Sequence, residues 1–192
     1  MNYDKTFAKK HTVNALAGFH TELYSYEYDD AYRQNFPSSD VTDMNGGSVV
    51  GMRNSGYTRE LAMNSVFGRL QYNFMDKYLF EANVRGDGSS RFAKDHRWGF
   101  FPSVSVGWNL TEEPFMEKYR QVLSQFKVRA SIGRLGNQAG AALYTFASTM
   151  GLHNGLGGYI FNDGRHIYLN APGVVNPTTT WEKVDSKNLG ID

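Results

Sequence analysis

The chain has 192 residues, with 20 Lys+Arg against 19 Asp+Glu for a formal charge of +1, no cysteine, 20 glycines and 15% aromatic residues. Near-neutrality leaves no cationic excess to displace phosphate counterions, which argues against nucleic acid as a partner, and the lack of cysteine excludes disulfide scaffolds and Cys-ligated metal centres. No apolar run reaches the roughly 18 residues of a transmembrane helix, but a transmembrane barrel stays open, because its strands alternate and average out as hydrophilic.

Met1-Asn2-Tyr3-Asp4-Lys5 has no basic region followed by an apolar one, so no signal peptide is expected. That alone would keep the chain in the cytoplasm. From His11 to Tyr28 a long, weak alternation sets Val13, Ala15, Ala17, Phe19 and Leu23 against Asn14, Leu16, Gly18, His20 and Glu22. Residues 29–62 are rich in Asp, Asn, Ser and Gly and read as a long polar connector.

The clearest pattern spans Asn64 to Asp87. Val66, Leu70, Tyr72 and Phe74 alternate with Phe67, Arg69, Gln71 and Asn73; after Met75-Asp76-Lys77, Tyr78, Phe80, Ala82 and Val84 alternate with Glu81, Asn83, Arg85 and Asp87. Two period-two runs around a tight turn predict a β-hairpin. Tyr72, Phe74, Tyr78 and Phe80 cluster beside that turn on the apolar parity, as in a membrane–water girdle or in the core of a sandwich.

Phe100, Pro102, Val104, Val106, Trp108 and Leu110 form the next apolar face, with Pro102 expected at an edge or a strand end. A short helical turn is expected after Thr111, with Pro114 at its start. Phe126 to Arg134 returns to alternation, with Lys127, Arg129 and Ser131 opposite Val128, Ala130 and Ile132. Residues 135–178 read as a second long connector, and Thr180 to Asp192 as a sixth strand that stops in mid-pattern. Connectors long at one end of the strands and mostly short at the other suit an outer-membrane barrel better than a sandwich.

No catalytic constellation emerges. The five histidines, His11, His20, His96, His153 and His166, show no metal-binding spacing. Gly133-Arg134-Leu135-Gly136 departs from the dinucleotide fingerprint and precedes a connector rather than a helix. Ser89 and Ser90 have no neighbouring base. The expectation is a non-enzyme with no cofactor and no metal.

Several blocks carry a family resemblance. Phe80-Glu81-Ala82-Asn83-Val84-Arg85-Gly86-Asp87-Gly88-Ser89-Ser90-Arg91-Phe92 resembles the signature of the SusC/RagA family of TonB-dependent outer-membrane transporters, and so does Trp98 to Trp108. Val128 to Gln138 is similar to that family's following strand, and Asn176 to Lys183 with Asn188 to Asp192 to the strand after its next external loop. The resemblance implies an all-β fold: a partial, open section of a large antiparallel up-and-down transmembrane β-barrel, about six strands within residues 1–192, lacking the plug domain and signal peptide. It implies a place in the outer membrane, uptake of oligosaccharides or peptides, and a SusD-like lipoprotein and the TonB complex as partners.

In such a wall the polar parity faces the lumen, with Arg69, Glu81, Asn83, Arg85, Asp87, Lys127 and Arg129 as candidates. Lipid exposure of one Arg or Lys at the midplane would cost about 2–4 kcal/mol. Tyr72, Phe74, Tyr78, Phe80 and Trp108 are the lipid-facing girdle candidates. Tyr24, Tyr26, Tyr28, Tyr32, Phe36, Tyr144, Tyr159 and Phe161 are expected in external loops, either stacking on a substrate or packing among themselves. Two other readings stand beside this one: a soluble β-sandwich carbohydrate-binding module, and a truncated fragment without activity of its own.

Overall fold

The computed structural model describes residues 1–119, 121–153, 160–161, 164–165 and 168–192. The chain divides into two compact units, Met1–Thr21 with Met63–Asp192, and Glu22–Ala62.

One open sheet of seven antiparallel strands dominates, in the order β1 (Asn2–Phe7), β2 (His11–Gln34), β3 (Ser48–Phe74), β4 (Tyr78–Ser89), β5 (Trp98–Asn109), β6 (Lys127–Asn137) and β11 (Glu182–Ile191). Among the described residues between β6 and β11 lie four two-residue strands, β7 (Leu152–His153), β8 (Ile160–Phe161), β9 (Gly164–Arg165) and β10 (Tyr168–Leu169), with β10 paired to β7 and β8 to β9. All six expected strands are present. The count of six is corrected to seven by β1, which pairs with β2 from Asn2↔Leu16 to Phe7↔His11.

The β1–β2 turn carries no Asn or Gly to announce it, yet Ala8 and Lys9 adopt φ of 48° and 54°, and the Lys10 N–H donates to the Phe7 carbonyl at 3.0 Å. The β3–β4 turn repeats this geometry, with Met75 and Asp76 at 55° and 58° and the Lys77 N–H donating to the Phe74 carbonyl at 3.0 Å. Two successive left-handed residues give the twist that a tight hairpin needs. The two turns share an end of the sheet, where the Met75 N–H donates to the Lys10 carbonyl at 2.8 Å. The β5–β6 connector belongs to the same end and holds two 3-10 turns, Leu110–Glu112 and Pro114–Tyr119, the second starting at Pro114 as expected.

The polar stretch 29–62 is not one long connector. β2 continues to Gln34 and β3 begins at Ser48, so only residues 35–47 join them. These strand portions are exposed on both faces, and a ribbon without a buried side imposes no alternation on its sequence. In the Glu22–Ala62 unit, Tyr28 stacks on Tyr57 with centroids 5.2 Å apart, and Arg53 and Arg59 lie 4.6 Å over Tyr32 and Tyr57. Tyr24, Tyr26, Tyr28 and Tyr32 are therefore strand residues, and only Phe36 of that group lies in the connector. Tyr144 lies between β6 and β7, Phe161 in β8, and Tyr159 and His166 fall outside the described residues.

Pro102 sits inside β5, opposite Val84 of β4, where the ladder with β6 begins one residue later at Ser103↔Gly133. It occupies the end of one ladder, where a missing N–H breaks no pairing.

Candidate functional site: a wall with two faces

Register fixes the faces. Gln71↔Glu81↔Ser105↔Ser131↔Asn188 is one cross-strand row, and the neighbouring row is Tyr72↔Phe80↔Val106↔Ala130↔Leu189. Alternation within each strand thus becomes one polar face and one apolar face over five strands. Among the described residues no second sheet covers the apolar face: Val106 is 50% exposed, Ile132 54% and Leu189 79%. The sandwich reading required these side chains to be enclosed between two sheets, and it is set aside.

The polar face brings together the sequence-predicted charges in three groups. Arg69 Nε donates to Asn83 Oδ1 at 2.8 Å, Asn83 Nδ2 to Glu81 Oε1 at 2.7 Å, and Gln71 Nε2 to Glu81 Oε2 at 2.6 Å. Arg85 grips Asp87 through both carboxylate oxygens at 2.8 Å and donates to the buried Ser65 hydroxyl at 3.0 Å. Its guanidinium also lies 5.7 Å over the ring of Phe67, one of the apolar residues, with Leu79 and Phe101, that share this parity. Arg129 pairs with Asp192 at 3.0 Å. With Lys127, Arg129 also lines a concavity of about 740 Å³ that includes Asn14, Gln71, Glu81 and Ser105.

The five girdle candidates lie together on the apolar face at the short-connector end. Phe74, Tyr78 and Trp108 form a row with centroid spacings of 6.3 and 6.5 Å. His11 extends it, 4.8 Å from Phe74, with Nδ1 2.8 Å from the Tyr72 hydroxyl. As a single histidine without motif spacing it carried no sequence signal for this role.

Glu113 anchors the row and was likewise invisible in sequence. Its carboxylate accepts from the Tyr78 hydroxyl at 2.8 Å, the Trp108 indole at 3.1 Å and Lys77 Nζ at 3.2 Å. The Tyr78 hydrogen bond, then that of Trp108, hold its carboxyl below the usual carboxylate range.

At the long-connector end a small core forms from Phe92, Phe101 and Trp181, exposed by 1%, 7% and 6%. The Trp181 ring is 5.4 Å from both Phe rings, its indole N–H donates to the Arg97 carbonyl at 2.8 Å, and Arg91 reaches the Ala141 carbonyl. The Phe101 ring also occupies the space a side chain would need at Gly99 and Gly136. The four blocks that carry the family resemblance therefore meet here: Phe92 from the first, Phe101 from the second, Gly136 from the third and Trp181 from the fourth.

A continuous antiparallel sheet, apolar and exposed on one face and polar on the other, with an aromatic row at the short-turn end, is the wall of a transmembrane β-barrel. The TonB-dependent receptor-like β-barrel family model matches residues 1–192, and the chain belongs to that family. It is 34% identical to TonB-dependent receptor P39 of Formosa agariphila over the whole chain, which spans 18% of that protein. It is 36% identical to TonB-dependent receptor SusC of Bacteroides thetaiotaomicron over 72% of the chain and 14% of SusC. Among solved structures, the RagAB peptide importer in its closed-closed state superposes with a TM-score of 0.80 over 99% of this chain and 20% of the importer chain, at 24% identity. The chain thus spans about a fifth or less of the proteins it matches. TonB-dependent receptors are outer-membrane transporters and not enzymes.

Proposed function

We propose that residues 1–192 are part of the barrel wall of a longer TonB-dependent receptor that imports a bulky nutrient. The apolar face meets lipid and the polar face lines the lumen. One observation carries this reading: Tyr72↔Phe80↔Val106↔Ala130↔Leu189 is an unbroken apolar row, left exposed beside an equally unbroken polar one. Such a band costs solvation free energy in water and is neutral in hydrocarbon.

In this reading Arg69, Glu81, Asn83, Arg85, Asp87, Lys127 and Arg129 face the lumen. Most are already held by neighbours on the wall, which suits a lining against a plug more than a specific substrate clamp. Tyr72, Phe74, Tyr78, Phe80 and Trp108 form the girdle at the periplasmic interface. The long connectors lie on the external side, where a SusD-like lipoprotein would dock. The likeness to SusC and to a peptide importer supports oligosaccharides or peptides as cargo, energised through TonB.

The test is deletion of the gene encoding the receptor, followed by growth on a panel of oligosaccharides and peptides, with and without TonB. The expected result is loss of growth on one nutrient class, reproduced by loss of TonB. Unimpaired uptake of every nutrient, with the protein recovered in the soluble fraction, would overturn the reading.

A further inference from the structure

The β5–β6 connector is unlike the two short turns beside it. It runs from 110 to 126 and exposes Phe115 (60%), Tyr119 (58%), Val122 (87%) and Leu123 (44%). Exposed aromatic and aliphatic side chains gathered in one short segment mark a contact surface, and two further observations identify its occupant.

The first is attachment. Glu113 lies near the start of this connector, between its two 3-10 turns, and accepts hydrogen bonds from Tyr78 and Trp108 of the aromatic row. Phe115 follows two residues later, so the exposed segment continues directly from the row.

The second is the slope of the apolar band across the sheet. On β5 the outward residues remain apolar from Trp108 up to Trp98. On β6 the outward run ends at Ile132, which pairs with Val104, and Arg134 follows. On β11 it ends at Leu189, which pairs with Ala130, and Lys187 follows. The upper limit of the band thus descends in register from β5 to β6 to β11, as expected where strands tilt and stagger around a barrel. Arg134 and Asp185 form an ion pair at 2.7 Å above this limit. A band of constant thickness whose upper limit descends must also have a lower limit that descends. On β6 that limit falls below Val128, in the connector itself.

We propose that the β5–β6 connector is an interfacial membrane contact, with Phe115, Tyr119, Val122 and Leu123 seated at the headgroup–acyl boundary of the phospholipid leaflet at the short-turn end. An apolar segment of this kind gains free energy by partial immersion even without spanning the bilayer. Glu113 fixes its height by tying it to Tyr78 and Trp108, and Lys118 on the same 3-10 turn supplies a cation for lipid phosphate. This rests on the assignment of the apolar face to lipid.

The experiment places single nitroxide labels in the complete receptor, reconstituted in phosphatidylcholine vesicles, at Phe115→Cys and Val122→Cys. Val106→Cys serves as the control for the apolar face and Lys94→Cys as the control for an aqueous connector. Relaxation by oxygen and by a water-soluble nickel chelate reports depth. The expected result is an oxygen-to-nickel ratio at 115 and 122 severalfold above that at 94 and below that at 106. Ratios at both positions equal to that at 94, with 106 remaining oxygen-rich, would overturn the inference and leave the barrel reading intact. An aqueous ratio at 106 as well would overturn both. The side chains at 115 and 122 are largely exposed, so their replacement removes little packing, and two positions guard against the failure of one variant.

Discussion

Two groups of aromatic residues stand at opposite ends of this sheet, and the same side-chain chemistry does different work in each. At the short-connector end Phe74, Tyr78 and Trp108 lie on the apolar parity, partly open, with Tyr78 and Trp108 tied to one carboxylate. At the long-connector end Phe92, Phe101 and Trp181 are enclosed, two of them contributed by segments outside the strands. The first group depends on strand alternation and lies open on the apolar face, so on the proposed reading its environment is supplied from outside the chain. The second depends on connectors folding back over the polar face and carries its own environment with it. An aromatic residue in such a wall is therefore interpreted from its parity and from what folds over it, and composition alone distinguishes neither.

The contrast can be broken from either end. The largest expected effect is at the enclosed group: Trp181→Ala or Phe92→Ala should cost about 3–5 kcal/mol. Urea titration of the receptor in detergent micelles would register it, with the 90–97 connector becoming protease-sensitive first. Next comes the open face. Val104→Arg, at the centre of the outward band of β5, should cost about 2–4 kcal/mol when the receptor is folded in bilayers, whereas Ser103→Arg, one residue away on the polar face, should be close to neutral. Equal costs at the two positions would dissolve the distinction between the faces. Gly136→Val drives a side chain into the Phe101 ring and should cost about 1–3 kcal/mol through overpacking, leaving the aromatic row at the other end untouched.

The smallest effect sharpens the comparison at the row. Glu113→Gln should loosen the β5–β6 connector without unfolding the sheet, read as faster hydrogen exchange over residues 110–119. Acid should mimic it. Because the folded Glu113 carboxyl lies below its ordinary value of 4.5, its contribution is complete above that value and is lost as the pH falls through the lower folded one. The enclosed group, whose three members do not titrate, should show no such acid step.

Much of this was legible in sequence, for a definable reason. From Asn64 to Ile132 the strands carry a mainly apolar and a mainly polar face, so period two appears directly, and the girdle and lumen candidates fall on opposite faces. β1 was missed because the two central residues of its turn, Ala8 and Lys9, adopt positive φ without the Asn or Gly that usually announces it. The outer parts of β2 and β3 were read as connector because both of their faces are exposed and nothing selects an alternation. Glu113 and His11 act through partners distant in sequence, 35 residues away for Tyr78 and 61 for Tyr72, which no local pattern reveals. The Phe92–Phe101–Trp181 cluster had a signal that went unused: each recognisable block carries one member of it or a glycine pressed against it, and blocks so separated in sequence share a place when they share a core.

The account depends on one face meeting lipid and the other water. The most direct test is a cysteine scan of Ser103, Val104, Ser105 and Val106 in the receptor folded in its membrane, labelled with a membrane-impermeant maleimide. Reaction at 103 and 105 with protection at 104 and 106 is the predicted pattern. Uniform reaction at all four positions, or protection reversed between the two pairs, would contradict it.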